Sequence, residues 1–168
     1  MLNWSVIPAT SDDAPKLSKL MRKLESENSF MMYEASEIPR EELLRERLTA
    51  SAKTAKETFL LAVSDHGDLY GYVLVFSGHL SRNSGVGTLA LGVTEIAQGC
   101  GVGSELMAEA IAWSKYHNLY RLQLQVQTNN TKALRLYQKC GFQIEGILRR
   151  CALVNDEYVD KYQMALLL

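Results

Sequence analysis

The chain has 168 residues, of which 47% are apolar and 22% are charged, and these proportions are typical of a globular protein. Since one domain usually spans about 100 to 200 residues, we predict a single domain over residues 1–168. The formal net charge is −1, which provides no general attraction for polyanions. We therefore expect neither nucleic acid nor a membrane surface as a partner.

The cysteines and histidines indicate no disulfide framework and no metal site. Cys100, Cys140 and Cys151 are an odd number without a C-x-x-C pair, which fits reduced thiols. The three histidines are scattered without metal-ligand spacing. No apolar run reaches the roughly 18 residues of a membrane-spanning helix, and the first residues lack the basic and apolar regions of a signal peptide. The sequence therefore predicts a cytoplasmic protein without a metal.

The first half of the chain predicts a strand, two helices and a hairpin. The apolar run 3–9 is followed by Thr10, two acids and Pro15, which indicate the start of a helix over about 12–25. A second helix is predicted over 40–53, where leucines recur at helical spacing. The β-rich runs 58–64 and 69–78 flank a short turn that contains Gly67, so they are predicted to form a hairpin.

The second half predicts alternating strands and helices, followed by a closing hairpin. Strand 86–94 leads into helix 101–118, and strand 120–128 alternates apolar residues with Gln123, Gln125 and Gln127. Asn129 or Asn130 caps another helix that stops at Gly141, and the runs 149–154 and 158–167 form the hairpin across 155–157. The glutamine face can meet a ligand, water or a partner chain. The fold class is α/β (α+β), a central mixed sheet flanked by helices in the order β-α-α-β-β-β-α-β-α-β-β.

A glycine-rich turn joins strand 86–94 to the following helix, with Gln98, Gly99, Gly101 and Gly103 in sequence. Glycines let the backbone approach a ligand closely, and a helix N-terminus offers unpaired N–H groups, so this turn can bind phosphate oxygens. Alternatively, the glycines only permit tight packing. A Walker loop is excluded because the chain has no Gly-Lys dipeptide, and a dinucleotide fingerprint fits poorly because Ser104 stands at its third glycine position.

Two motifs resemble the GNAT superfamily of N-acetyltransferases. The pattern Q-x-x-G-x-G at Gln98, Gly101 and Gly103 resembles the acetyl-CoA pyrophosphate loop of that family. The family's N-x-x-A-x-x-L-Y-x-x-x-G-F pattern matches the chain from Asn130 to Phe142. The predicted order of elements also matches the family's fold, so the resemblance covers essentially the whole chain. Residues 145–164 resemble the subgroup of amino-acid, ribosomal-protein and phosphinothricin acetyltransferases.

The resemblance implies that acetyl-CoA is the co-substrate and that the acetyl group passes directly to a primary amine. The acceptor is an amino acid, a polyamine, an antibiotic-like small amine or a protein N-terminus. In the alternative, the chain is a catalytically idle acyl-CoA-binding module that senses or scaffolds. A homodimer is also possible. The implied cofactor-binding residues are Leu91, Val93, Gln98, Gly99, Gly101, Val102, Gly103, Ser104, Asn130 and Tyr137.

Three of these residues carry specific roles by resemblance. A backbone N–H near Val93 faces the thioester oxygen, Asn130 positions the pantetheine arm, and Tyr137 is the general acid. Alternatively, Tyr137 is only a core tyrosine, because it also belongs to the apolar face of its helix. Lys132 and Lys139 can meet the ribose phosphate of the cofactor, but they are interpreted as solvated helix cations, the more frequent role of isolated helix lysines.

The chain departs from the family where many members carry Arg or Lys ahead of the middle glycine, because it has Cys100 there. Backbone N–H groups must therefore provide most of the pyrophosphate binding. A thiol at a helix N-terminus can form an acyl-enzyme, but no histidine lies near Cys100 in sequence to act as its base.

The resemblance implies that the connection between the first two helices and the final hairpin wall the acceptor side, and the connection is acidic. Glu34 follows the apolar residues Phe30 to Tyr33, so we predict Glu34 as catalytic base or acceptor anchor. The other candidates for the base are Glu95, His79 and a water held by the strand backbone.

Overall fold

The structure is a computed structural model that describes residues 2–28, 30–31 and 33–168. The strands are β1 (Trp4–Pro8), β2 (Glu57–Ser64), β3 (Leu69–Ser77), β4 (Val86–Val93), β5 (Arg121–Gln127), β6 (Gln143–Val154) and β7 (Glu157–Leu167). The helices are α1 (Ala14–Glu27), α2 (Glu41–Ser51), α3 (Val102–Tyr116) and α4 (Thr131–Lys139). The order of strands and α-helices confirms the prediction.

The strands form one seven-stranded mixed sheet in the order β1-β2-β3-β4-β5-β7-β6. Neighbouring strands are antiparallel, with the exception of the parallel pair β4–β5. Alternate residues of β2 and β3 belong to two different cores, because side chains on a strand point to opposite faces. One core contains α3 and α4, and the other contains α1 and α2, so a pair of helices covers each face.

Helix α1 begins where the sequence predicts a helix start. The Asp13 carboxylate accepts hydrogen bonds from the Thr10 amide at 2.8 Å and the Thr10 hydroxyl at 3.0 Å. These bonds provide a partner for the backbone N–H and the hydroxyl of Thr10, which caps a one-turn 3-10 helix (Ser11–Asp13) that precedes α1. Leu17, Leu20 and Leu24 then bury one side of α1 against the sheet. Within the described ranges, no helix combines the length and apolarity needed to cross a membrane.

The predicted start of the penultimate strand, at residue 149, is wrong because β6 begins at Gln143. Gly146 interrupts the apolar pattern, but β6 pairs with β7 from Gln143 opposite Ala165, and this long-range pairing overrides local propensity. The β6–β7 turn is also shorter than predicted. Asn155 and Asp156 have φ angles of 50° and 62°, which match a two-residue type I′ turn.

Candidate active site

Strands β4 and β5 separate in the middle of the sheet. They pair only from Val86 opposite Arg121 to Thr88 opposite Gln123, although β4 continues to Val93 and β5 to Gln127. The β4 edge after Thr88 is therefore not paired with β5 over the rest of its length. This separation leaves a gap between two strands at the centre of the sheet.

The backbone groups that face this gap follow from the antiparallel pairing of β3 and β4. The Thr94 amide donates to the Tyr70 carbonyl at 2.8 Å, just beyond the end of the ladder. Hydrogen-bonded residues alternate along an antiparallel ladder, so the backbone groups of Leu89, Leu91 and Val93 point away from β3. The N–H and C=O groups of these residues therefore face the gap, where the sequence predicts the pantetheine and the thioester.

A tight turn follows β4 and ends at the N-terminus of α3. Gly99 and Gly101 have φ angles of 76° and 99°, in the left-handed region that glycine adopts without strain. The Glu105 amide donates to the Gly101 carbonyl at 3.1 Å and makes the first i→i−4 bond of α3. The amides of Val102, Gly103 and Ser104 precede that bond, so they form the donor set of a helix N-terminus.

The space around the turn fits a phosphate group at two of its three glycines. A Cβ atom added at Gly99 would meet nothing within 4 Å, and one added at Gly101 would lie 3.7 Å from the Trp4 ring. The backbone at these two positions is therefore open to a ligand. Gly103 differs, since a Cβ there would lie 3.1 Å from Leu136 of α4. Tight packing against α4 therefore explains why residue 103 has no side chain. The Gly103 backbone N–H is still one of the free donors at the N-terminus of α3.

Gln98 connects the turn with β4 and α4. Its Nε2 donates to the Val93 carbonyl at 3.2 Å, and its Oε1 accepts from Lys132 Nζ at 3.2 Å. This bridge engages the Val93 carbonyl, so the Val93 amide is the group left for a ligand in the gap. The sequence singles out Gln98 but interprets Lys132 as solvated, because the contact joins residues 34 positions apart.

Asn130 is the residue that caps α4. Its Oδ1 accepts from the Ala133 amide at 3.2 Å, which decides between the two asparagines that the sequence offers. The cap uses the carbonyl oxygen of the side chain and leaves Nδ2 as the donor that a pantetheine chain would meet. Asn130 thereby orients the first turn of the helix that carries Tyr137.

The Tyr137 side chain is 7% exposed, and its ring lies 6.1 Å from the Phe142 ring. Burial raises the pKa of the phenol well above its usual value, with smaller contributions from Cys140 and Tyr72. In the described part of the chain, no fully buried side-chain oxygen lacks a partner, and no protein group bonds to the Tyr137 hydroxyl. The hydroxyl therefore reaches accessible space while the ring packs in the core.

The opposite face of β4 is closed at Gly92. A Cβ there would lie 2.6 Å from Leu24, 3.1 Å from Met31 and 3.2 Å from Tyr72. Tyr72 is 3% exposed, and burial raises its pKa to about 12, with a further contribution from Tyr33. Helix α1 and the connection that follows it thus wall the gap on this face, which leaves the side of β5 for an acceptor.

Glu34 lies in an exposed turn of the connection between α1 and α2. Its amide donates to the Glu37 carboxylate at 3.0 Å, and the Glu37 amide donates to the Glu34 carbonyl at 2.9 Å. Met32, one of the apolar residues predicted to hold this loop, lies outside the described residues. Glu95 and His79, the other candidates for the base, are exposed. The catalytic role of Glu34 stays a prediction.

Two contacts beside the turn carry no local sequence signal. The Glu95 amide donates to the Glu27 carboxylate at 2.8 Å, which ties the end of α1 to the turn after β4. Trp4 Nε1 donates to the Glu105 carboxylate at 2.6 Å, which ties β1 to the first turn of α3. These pairs are 68 and 101 residues apart, so no spacing pattern predicts them.

The thiol of Cys100 is exposed and lies 3.7 Å from the Gln98 carbonyl, to which it donates. Among the residues with described positions, no three His, Cys, Asp or Glu side chains are grouped so that they can hold a metal ion.

Comparison with known proteins assigns the family. The model of the acetyltransferase (GNAT) family matches residues 19–142. The L-amino acid N-acetyltransferase AaaT of Escherichia coli (strain K12) is 36% identical over 100 residues, which are 59% of this chain and 62% of that enzyme. The alignment thus spans less than two thirds of the length of AaaT.

Solved structures agree over nearly the whole chain. The crystal structure of a GNAT-family acetyltransferase from Streptococcus pneumoniae superposes with a TM-score of 0.94 at 30% identity, covering 99% of this chain and 100% of that chain. A phosphinothricin acetyltransferase from Sinorhizobium meliloti, in complex with acetyl-CoA, has a TM-score of 0.87 at 15% identity, covering 98% and 88%. The second likeness shows the shared fold alone.

The fold and the family model together define the class, the acetyltransferases with the GNAT fold. The chain belongs to the acetyltransferase (GNAT) family.

Proposed function

We propose that the chain transfers an acetyl group from acetyl-CoA to the primary amine of an amino acid or a short peptide. The observation that carries this proposal is the gap between β4 and β5, whose unpaired edge continues into a turn with open backbone amides. The phosphinothricin acetyltransferase with the same fold is described in complex with acetyl-CoA, which supports the same ligand here. The name of AaaT supports an amino-acid acceptor.

Residues of the chain hold acetyl-CoA in two parts. The amides of Val102, Gly103 and Ser104 bind the pyrophosphate, since the positive end of the α3 dipole adds to their hydrogen bonds. Gly99 and Gly101 keep the approach open, and Gln98 fixes the turn against β4. The pantetheine lies along the β4 edge, where Leu91 offers its backbone N–H and C=O groups and Val93 offers its N–H, as a neighbouring strand would. Asn130 meets it from α4.

The chemistry requires three functions from the protein. The neutral amine nitrogen forms a bond to the thioester carbon, the carbon–sulfur bond breaks, and the sulfur takes a proton from Tyr137, whose phenol is restored by the proton that the nitrogen loses as the amide forms. The Val93 amide donates to the carbonyl oxygen as negative charge develops there. Tyr137 donates its proton towards the departing sulfur, because its raised pKa keeps the phenol protonated at neutral pH. Glu34, directly or through water, accepts the proton that the ammonium form of the acceptor must lose.

Acetyl-CoA turnover against a panel of amines tests this function. Release of CoA should depend on an added amino acid, peptide, polyamine or aminoglycoside, and mass spectrometry should find 42 Da added to the acceptor, roughly the mass of an acetyl group replacing hydrogen. A catalytically idle module would bind acetyl-CoA in calorimetry without turnover of any amine. Failure to bind acetyl-CoA would overturn both interpretations. A homodimer, a cytoplasmic location and the absence of nucleic-acid and membrane partners stay predictions of the sequence.

A further inference from the structure

A cavity of about 500 Å³ lies at the closed end of the gap between β4 and β5. Phe76, Val86, Thr88 and Gln123 of the sheet line it, together with the β3–β4 connection. Thr88 and Gln123 are the last paired residues before β4 and β5 separate, and Gln123 Nε2 donates to the Thr88 hydroxyl at 3.4 Å. The cavity therefore borders the point at which the sheet opens.

The cavity lies on the face of the sheet opposite α3 and α4. Leu122 and Leu124 pack in the core with these helices, so the alternation of β5 directs Gln123 to the other face. The pyrophosphate turn belongs to α3 at the far end of β4. An acceptor that uses the cavity would thus approach the gap from the face that the acetyl-CoA site leaves free.

His79 is the one titratable side chain among the described residues that line the cavity. Of the nine lining residues that the structure describes, none is Asp, Glu, Lys or Arg, and Phe76, Leu80 and Val86 are apolar. Leu80 is 73% exposed and Phe76 is 38% exposed, although large apolar side chains are usually buried. A concave site with apolar walls and a few polar groups is typical of small-molecule binding.

The β3–β4 connection holds its shape through one asparagine. Asn83 Oδ1 accepts from the Leu80 amide at 3.0 Å, and the Asn83 amide donates to the Leu80 carbonyl at 3.0 Å. The Val86 amide also donates to the Asn83 carbonyl at 3.0 Å, which joins the connection to β4. The wall that carries Leu80 is therefore formed before any ligand arrives, which lowers the entropy cost of binding.

We propose that this cavity binds an uncharged aromatic or branched aliphatic group of the acceptor and so selects apolar amino acids or peptides. The inference rests on the proposed acetyl transfer and adds the substrate class. A strand rises about 3.3 Å per residue, which places Leu91 about 10 Å and Val93 about 17 Å from Thr88 along β4. The shorter distance fits an acceptor with one apolar side chain, and the longer distance fits a peptide of a few extended residues. The lining lacks the carboxylates that a polyamine needs, so cationic side chains are disfavoured.

Matched acceptors test the selection directly. We expect kcat/KM for phenylalaninamide, or for a short amide peptide with Phe at its second or third position, to exceed that for the glycine counterpart about tenfold or more. Spermidine should be a poorer acceptor than either. The position at which Phe has the largest effect measures how far the thioester lies from the cavity. Equal rates for glycine and phenylalanine acceptors at every position, or a preference for spermidine, would overturn the proposal.

Variants of the cavity wall separate this inference from the general activity. Leu80→Ala and Phe76→Ala should lower kcat/KM for the phenylalanine acceptor about three- to tenfold, with the glycine acceptor and the KM for acetyl-CoA unchanged. Leu80→Glu should shift the preference towards cationic acceptors. Tyr116→Ala is the control, because Tyr116 is 83% exposed at the end of α3, on the face of the sheet opposite the cavity, and does not line it. Melting temperatures check that Phe76→Ala remains folded.

Binding of the product provides a readout that needs no turnover. Calorimetry of the CoA-loaded protein should show binding of N-acetylphenylalaninamide that is weakened by Leu80→Ala and not by Tyr116→Ala. If acetyl transfer proceeds but the wall variants change neither selectivity nor product binding, the cavity proposal is wrong and the proposed function stands. If no amine is acetylated and the product does not bind, both fail.

Discussion

The substitution Tyr137→Phe separates catalysis from packing at one residue. It removes the hydroxyl while the ring keeps its position 6.1 Å from the Phe142 ring. No protein group in the described chain loses a hydrogen bond, so we expect the free energy of unfolding to change by less than about 1 kcal/mol. A general acid contributes roughly 10²- to 10⁴-fold to the rate, so kcat should fall by that factor, which corresponds to about 3 to 5 kcal/mol.

The assay measures kcat at saturating acetyl-CoA and acceptor, under conditions in which a pre-steady-state burst is absent and chemistry limits the rate. The dissociation constant of acetyl-CoA, measured by calorimetry, should stay nearly unchanged. Tyr116→Phe is the matched control, because Tyr116 also loses a hydroxyl but lies 83% exposed at the end of α3. A kcat equal to that of the parent in Tyr137→Phe would refute the general-acid role and leave Tyr137 as a core residue.

The pH profile provides a second check on the same residue. The acid must be protonated to act, and burial raises the pKa of Tyr137 above its usual value. Titration of Tyr137 should therefore not produce a loss of kcat below about pH 10, the usual pKa of tyrosine. A loss of activity near neutral pH that disappears in Tyr137→Phe would contradict the environment that the structure gives this phenol.

Three further substitutions test the site. Gly101→Ala should destabilise the fold by about 1–3 kcal/mol and weaken acetyl-CoA binding, because φ is 99° at Gly101. Gly146→Ala is the control and should change neither quantity, because a Cβ at Gly146 meets nothing within 4 Å. Calorimetry and urea unfolding measure both effects, and equal behaviour of the two variants would contradict the role of the turn. Glu34→Gln should raise the KM of the acceptor or shift the acidic limb of the pH profile, and an unchanged profile and KM would exclude Glu34 as base or anchor. Burial raises the pKa of Tyr72 from about 10 to about 12, so its contribution to the stability of the fold is complete below pH 10, falls by about 2 kcal/mol by pH 12 and falls by about 3 kcal/mol at higher pH. Urea unfolding at pH 9 and pH 12 should show this loss in the parent relative to Tyr72→Phe, and parallel curves for the two proteins would argue against the buried environment of Tyr72.

Local sequence patterns determined most of the elements and the position of the turn that is predicted to bind the cofactor. The spacing of Gln98, Gly101 and Gly103 identified the turn before α3, because positive φ angles and open amides depend on only a few neighbouring residues. The cap at Asn130 and the apolar face of α4 are likewise local, since a helix repeats within four residues. Alternation along β5 separated the core leucines from the glutamine face in the same way.

Tertiary structure decided the features that depend on distant pairing. The start of β6 follows from its register with β7, and the gap follows from the point at which β5 leaves β4 while remaining paired with β7. The contact of Gly103 with Leu136 and the bond from the Glu95 amide to Glu27 join segments that no sequence window contains. The cavity beneath Leu80 exists only because the β3–β4 connection folds over the last paired residues of β4 and β5. Local propensity acts over a few residues, whereas strand partners and cavities are set by which surfaces of the whole chain pack together.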